Sequence, residues 1–335
     1  MGKEGPKSIA DIAKIAGVSK STVSRALNDS PYANTETKNR IRAIAKEHDF
    51  QPSAIARNLS LQSSHTIAFV NHAYGKQSCE ISDHFCLEIM GGIANGLHDL
   101  GYDLLEVIVD PDDGDWASDY LDSGRVDGFI LMTSTKKRTH VDLLLKKGAP
   151  FVAWGQGQGG YCTVCGDDLR GGKIATERLI SLERTHIAFI GGPQSEGEVQ
   201  ARYRGYETAM GKAGLAVDPS LIAYGDYTEI SGARAMETLL KREPRIDAVF
   251  CNSDLMAIAA MRTLQASGRR IPGDVAVVGY DDLSVSAYVT PALTTVSQKI
   301  PLAGRLLARD LVNYLEQGII TTTIVPVELI SRASA

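Results

Sequence analysis

The chain has 335 residues and few aromatics, 6 % in all. It has no apolar run near the ~20 residues that a membrane-crossing helix needs. Its five cysteines are scattered, which excludes a disulfide-stapled scaffold and predicts reduced thiols in a cytoplasm. Met1–Lys7 is polar and leads into no signal-type apolar stretch, so no export signal is expected. Gly2 is followed by Pro6 where a myristoylation signal wants Ser or Thr. What is present, 44 % apolar and 22 % charged residues, excludes wholesale disorder and collagen-like structure. At about 100–200 residues per domain, the length suits two or three domains.

The net charge of −5 is unevenly spread. Residues 1–60 hold ten Lys/Arg and six Asp/Glu, a balance of +4, and the remaining 275 hold 25 and 34, a balance of −9. A small basic head on an acidic body suggests that the head meets a polyanion.

The head has the pattern for that task. Ile9, Ile12, Ala13 and Ala16 form one apolar stripe of a short helix, with Ser8 as its N-cap and Asp11 three residues on. Gly17 permits a tight turn. Ser19 caps a second helix from Lys20 to about Asn28, with Val23, Ala26 and Leu27 inward and Lys20, Ser21, Thr22 and Arg25 outward. A third helix starts near Asn34 and runs to about His48, with Ile41, Ile44 and Ala45 inward. Three short helices with a Gly turn between the first two form a helix-turn-helix unit, whose second helix enters the major groove. Arg25 and Lys20 can donate to guanine, and Ser21 and Thr22 can meet a base edge or a phosphate. The plain alternative is a solvated polar face on a small bundle.

Gln51-Pro52 ends regular structure, and Ser53 to Leu59 can form a short helix before the polar Ser60–Ser64 linker. A helix that short is marginal alone, so it is expected to fold against DNA or a partner chain. Leu59, at its end, is either weakly packed or a wedge for a minor groove.

From His65 onward, short buried-type strands alternate with helix-length segments, which predicts a doubly wound parallel α/β sheet. Strands are expected at 66–70, 103–109, 126–132 and 150–154, with a helix at 91–100. The order repeats: His186–Ile190 parallels Thr66–Val70, Gly205–Gly214 parallels Gly92–Gly101, and Asp247–Cys251 parallels Asp127–Leu131. Two such lobes enclose a cleft beyond the carboxyl ends of their strands. A sugar in such a cleft needs two-way polar groups for its hydroxyls and an aromatic face for its C–H surface. Candidates after successive strands are Asp83, Phe85, Tyr161 (with Gln156 to Gly160), Arg202, Tyr227, Ser253 (with Asp254), Asp281 and Gln298. Any one of them alone reads as a solvated loop residue; the set carries the argument.

Several motifs imitate other chemistries. Cys162-Thr-Val-Cys165 lies in an expected strand and has no second pair, so it reads as packing. Gly155-Gln-Gly-Gln-Gly-Gly160 lacks the Lys-Ser/Thr ending of a phosphate loop. The seven histidines have no metal-ligand spacing, and no nucleophile elbow is present. No cofactor, metal or catalytic residue is therefore expected. The rivals are an enzyme acting on a nucleotide or sugar and a plain solute-binding protein.

The run from Ser8 to Asn28, ungapped, resembles the head of the lactose/galactose-repressor family of bacterial transcription regulators. Phe50-Gln-Pro-Ser-Ala-Ile-Ala-Arg-Asn-Leu59 is similar to that family's hinge helix. The body resembles the family's sugar-sensing domain, similar in turn to periplasmic binding proteins. The resemblance implies a helix-turn-helix domain at 1–51, a hinge at 52–64 and an effector domain at 65–335. It also implies three crossings between lobes, with lobe 1 at about 65–164 and 295–325 and lobe 2 at about 165–294 and 326–335. It places Lys20, Ser21 and Arg25 at base-reading positions and Leu59 at the leucine that intercalates in the operator. Ser19, Thr22, Asn28, Asn34 and Ala56 complete the expected DNA contacts. Arg202, Asp281 and Gln298 fall on effector-contacting positions and Tyr227 on an aromatic one. Asp83-His-Phe-Cys86 departs from the family's usual Asn-Pro-Phe-Phe, and Ser253 stands where several members carry Asn.

The expected protein is a repressor acting as a homodimer on a pseudo-palindromic duplex, controlled by a small carbohydrate effector, with no membrane partner. A purine or sugar phosphate is the alternative effector. Replacing Arg202 or Asp281 with Ala is expected to abolish the effector response and spare folding. Replacing Arg25 with Ala is expected to cost about 1–3 kcal/mol of operator affinity and to relax preference at one half-site position. Fluorescence anisotropy on point-substituted operators measures this, and an equal loss on all sequences contradicts it.

Overall fold

The computed structural model describes residues 8–28, 32–50, 63–72, 84–109, 113–132, 139–157 and 159–335. The expected hinge, with Ala56 and Leu59, and the cleft candidate Asp83 lie outside the described residues. The chain divides into two compact units, Met1–His65 and Thr66–Ala335.

In the first unit, three helices pack around one apolar centre: α1 (Ile9–Ala16), α2 (Lys20–Leu27) and α3 (Thr35–Glu47). Ile12, Val23, Ala26 and Ile41 are fully buried there. Gly17 adopts φ +65°, a left-handed turn that a side chain disfavours, and this lets α2 fold back on α1. Ser8 and Ser19 cap the first two helices as the sequence predicts, and Asn34 caps the third.

The second unit contains two six-stranded sheets. The first takes β1 (Thr66–His72), β2 (Asp103–Val109), β3 (Gly128–Met132), β4 (Phe151–Trp154), β5 (Cys162–Gly166) and β11 (Thr322–Val325), in the order β11-β5-β4-β3-β1-β2. The other takes β6 (Ile187–Gly191), β7 (Ile222–Tyr224), β8 (Ala248–Cys251), β9 (Ala276–Asp281), β10 (Thr294–Ser297) and β12 (Glu328–Ile330), in the order β12-β10-β9-β8-β6-β7. Every neighbouring pair is parallel except β10 with β12. The central strands β3, β6 and β8 are continuous buried apolar runs, as strands of a parallel sheet covered on both faces are.

The chain passes from the first sheet to the second after Gly166, returns after Ser297, and passes over again between Val325 and Glu328. The crossings fall two or three residues beyond the expected 164 and 294, because β5 and β10 complete their ladders first. In the first lobe, α4 (His84–Asp99) packs on α11 (Ile300–Gln317); in the second, α7 (Asp168–Ser181) packs on α8 (Gly197–Lys212). Helix α4 begins seven residues before the expected 91, since Ile89, Ile93 and Leu97 form one buried stripe at helical spacing.

Both helix pairs touch through glycines. A Cβ on Gly172 would stand 2.0 Å from the Arg202 carbonyl oxygen, and one on Gly205 2.3 Å from that of Leu169. Gly92 and Gly304 make the matching contact in the first lobe, at 2.5 Å from the Pro301 oxygen and 2.4 Å from the Ile89 oxygen. The repeat legible in the sequence is thus also a repeat of helix packing. Gly205→Ala is expected to destabilise the body by about 1–3 kcal/mol, since backbone must move. Gly211→Ala, on the same helix with nothing within 4 Å of the added Cβ, is expected to stabilise by about 0.5–1 kcal/mol. Urea midpoints of the two variants compare them directly.

Candidate ligand cleft and DNA-reading surface

On the head, α2 presents one polar face. Lys20, Ser21 and Arg25 are exposed, while Val23 and Ala26 on the other face are buried. The Thr22 amide donates to Ser19 Oγ at 3.1 Å, and the Ser21 and Thr22 hydroxyls lie 2.8 Å from it. These bonds fix the first turn of the helix, the part that approaches base edges in a helix-turn-helix. Asn34 Oδ1 accepts from the Glu36 amide at 2.7 Å and the Thr37 amide at 3.3 Å. Asn28 is half-buried, and its Nδ2 donates to Ser24 Oγ at 3.4 Å. Arg40 donates to the Ala16 carbonyl at 3.2 Å and ties α3 to the end of α1.

In the body, a cavity of about 180 Å³ opens at the carboxyl ends of both sheets. Phe85, Cys86, Met132 and Trp154 of the first lobe line one wall. Glu198, Arg202, Tyr227, Ser253 and Asp281 line the other, with Gln298 at the second crossing. Six of the eight cleft candidates, Phe85, Arg202, Tyr227, Ser253, Asp281 and Gln298, meet here. Phe85 and Trp154 form a tilted aromatic pair, centroids 5.9 Å apart.

Tyr161 is the exception. It is buried and stacks on Phe151 with centroids 4.9 Å apart, inside the first lobe. The 155–160 loop leaves the carboxyl end of β4 and returns to the amino end of β5, so Tyr161 sits at the end of the sheet away from the cleft. Sequence reasoning missed Glu198, one helical turn before Arg202 on α8, and Trp154, the last residue of an expected strand. The i, i+4 spacing of Glu198 and Arg202 was the available signal.

Arg202 organises the polar wall. Its Nε donates to Asp168 Oδ1 at 2.8 Å, its Nη1 donates to the Asn252 carbonyl at 2.8 Å, and its Cζ lies 3.8 Å from the centroid of the Tyr280 ring. Burial pushes the Asp168 carboxyl upward, and the charge and hydrogen bond of Arg202 oppose that. Burial likewise disfavours the charge on Arg202, but Asp168 and its neighbours outweigh it and hold the guanidinium protonated.

Around this pair, Tyr227 Oη donates to Glu198 Oε1 at 3.0 Å. Burial raises the Glu198 carboxyl, against the pull of Arg202. Gln298 Nε2 donates to Asp281 Oδ1 at 2.6 Å, and the buried Gln298 Oε1 has no hydrogen-bond partner. Tyr227 and Asp281 have positive φ, +71° and +116°, the kind of backbone strain that collects at functional sites. Ser253 Oγ caps α10 (Asp254–Ala266) by accepting from the Met256 amide at 3.3 Å.

The 281–283 turn is held from behind. Asp254, fully buried, accepts from the Leu283 amide at 2.8 Å and from Thr295 Oγ1 at 2.5 Å. Leu283 in turn packs within the apolar core of the first lobe. Beside it, the Ser284 amide and hydroxyl donate to Glu88 Oε1 at 2.9 and 2.8 Å, across the two lobes.

The lookalike motifs have ordinary roles. Cys162 and Cys165 are buried in β5, and burial pushes the Cys165 thiol up to about 11, away from reactivity. Among the described residues, no group of His, Cys, Asp or Glu could hold a metal ion, and no helix is long and apolar enough to cross a membrane.

A capped three-helix reader and a bilobed cavity in one chain define a ligand-responsive DNA-binding protein. Residues 8–53 match the model of the lacI family of bacterial regulatory proteins, and 176–335 match a periplasmic binding protein-like domain. The chain is 36 % identical to the HTH-type transcriptional regulator CelR of Thermobifida fusca, over 91 % of this chain and 90 % of CelR. It is 31 % identical to the ribose operon repressor of Escherichia coli K12, over 92 % of each. The solved CelR–cellobiose complex superposes with a TM-score of 0.75 at 33 % identity, over 98 % of this chain and all of that one. The chain belongs to the lacI family and is a sequence-specific DNA-binding regulator of transcription.

The burial of Arg202 corrects one expectation. Arg202→Ala leaves the Asp168 carboxyl buried and unmatched, so folding is not spared. Each single variant, Arg202→Ala or Asp168→Ala, is expected to lose about 3–5 kcal/mol of stability. The double variant Arg202→Met, Asp168→Leu is expected to lose less than either. Denaturant unfolding of the three variants measures the coupling.

Proposed function

We propose that this chain is a repressor that acts as a homodimer and loses or gains operator affinity when a sugar or glycoside enters the cleft. Lys20, Ser21 and Arg25 read base edges. Ser19, Thr22, Asn28 and Asn34 position the helices on the backbone, and Ala56 and Leu59 engage the centre of the operator. Two copies read a pseudo-palindrome because a two-fold protein matches a two-fold site. It works in the cytoplasm as a binder rather than a catalyst, in keeping with relatives that are transcriptional regulators.

One observation carries the reading: polar groups with both donor and acceptor capacity face an aromatic wall across a single cavity. Gln298 and Asp281 suit vicinal hydroxyls, and Phe85 with Trp154 suits the C–H face of a pyranose. The solved complex of CelR with cellobiose supports the same class of ligand. The lobes touch through Leu283 and through Glu88 with Ser284, so a ligand that alters their closure changes these contacts first. Effector and operator affinities are then coupled reciprocally, by about 1–3 kcal/mol or roughly 5–150-fold.

The test is operator selection from genomic fragments with the purified chain, followed by titration of cellobiose, glucose and ribose. A preferred fragment is expected, with at least one sugar shifting both its affinity and the melting temperature of the protein. No fragment preferred over scrambled DNA would defeat the regulatory reading. A preferred fragment with no sugar response would defeat the sugar.

A further inference from the structure

We propose that Glu198 sets the charge class of the effector. It accepts a hydrogen bond from a ligand hydroxyl and excludes phosphorylated and carboxylated analogues. This rests on reading the cleft as the effector site.

Among the described residues lining the cavity, Arg202 is the only cation. It looks suited to a phosphate, but its charge is already matched. Asp168 takes its Nε at 2.8 Å in a buried ion pair, and the Asn252 carbonyl takes Nη1. The aromatic face of Tyr280 covers the guanidinium at 3.8 Å. A phosphate entering here meets a cation already paired with Asp168 and two further carboxyl groups on the same wall, Glu198 and Asp281. Asp254, fully buried, lies behind Asp281. Whether or not Glu198 carries its charge, the wall offers an anion no unmatched cation.

Glu198 is placed to discriminate rather than merely to repel. Oε1 already accepts the Tyr227 hydroxyl at 3.0 Å, which orients the carboxyl on the cavity wall. The Glu198 amide also bonds the carboxyl, and because each of its two oxygens has two lone pairs, acceptor capacity remains for a ligand O–H. A neutral polyol supplies that donor, whereas a phosphate ester or carboxylate at the same place sets acceptor against acceptor. The effector is therefore a free sugar or glycoside. In a reaction sequence it is the product of uptake or glycoside cleavage, sensed before any phosphoryl transfer to it.

Calorimetric titration of the full chain with cellobiose, glucose, glucose 6-phosphate and inorganic phosphate tests this. The neutral sugars are expected to bind at least about tenfold more tightly than glucose 6-phosphate, and inorganic phosphate not to compete. Glu198→Gln keeps the shape and an acceptor for Tyr227, and is expected to narrow that gap. Glu198→Lys is expected to invert it. Glucose 6-phosphate binding as tightly as glucose to the unaltered chain overturns the inference while leaving the sugar reading intact. A gap unchanged in a folded Glu198→Gln protein also overturns it. If none of the sugars binds, the sugar reading falls and this inference with it.

Discussion

The cleft depends on one buried ion pair. Arg202 and Asp168 lie on adjacent helices, both almost wholly out of water. Desolvating two charges costs several kcal/mol per ion, and only close, hydrogen-bonded geometry offsets it. That geometry exists because Gly172 and Gly205 let α7 and α8 meet backbone to backbone. The pair then fixes the Asn252 carbonyl at the start of α10 and the ring of Tyr280 on β9. Four elements of the second lobe thus converge on one guanidinium, and the ligand wall is built on what remains around it.

The two lobes divide the chemistry. The second supplies polar groups, each held by another side chain: Glu198 by the half-buried Tyr227, Asp281 by Gln298, and the 281–283 turn by Asp254. The first supplies an aromatic and sulfur-bearing face from the ends of β3 and β4 and the start of α4. Leu283, with Leu255 and Val285 beside it, packs on the first lobe's core, and Ser284 bonds Glu88 across the lobes near the cavity. Such a small contact suits a hinge whose position a ligand can shift.

Much of the site was legible because parallel α/β sheets gather functional residues at the carboxyl ends of their strands. Counting loops after expected strands placed Phe85, Arg202, Tyr227, Ser253, Asp281 and Gln298 around one cavity. The same rule failed for Tyr161, since the 155–160 loop carries the chain back to the opposite end of the sheet. Glu198 was missed because it lies within a helix that begins earlier than its apolar pattern suggests. Its partner Tyr227 is 29 residues away, and no local spacing announces that contact.

Local pattern alone determined the three head helices, their caps and turn, the alternation of strands and helices, and the duplication of the body. These follow from interactions between residues a few positions apart, where periodicity and capping chemistry act. Which strands end each lobe, how closely the glycine-bearing helices approach, and that Arg202 is spent on Asp168 were decided only by the tertiary structure. All three bring distant residues together; the Arg202 bonds join residues 34 and 50 positions apart in one dry space, where the balance of desolvation and pairing has no counterpart in the linear sequence.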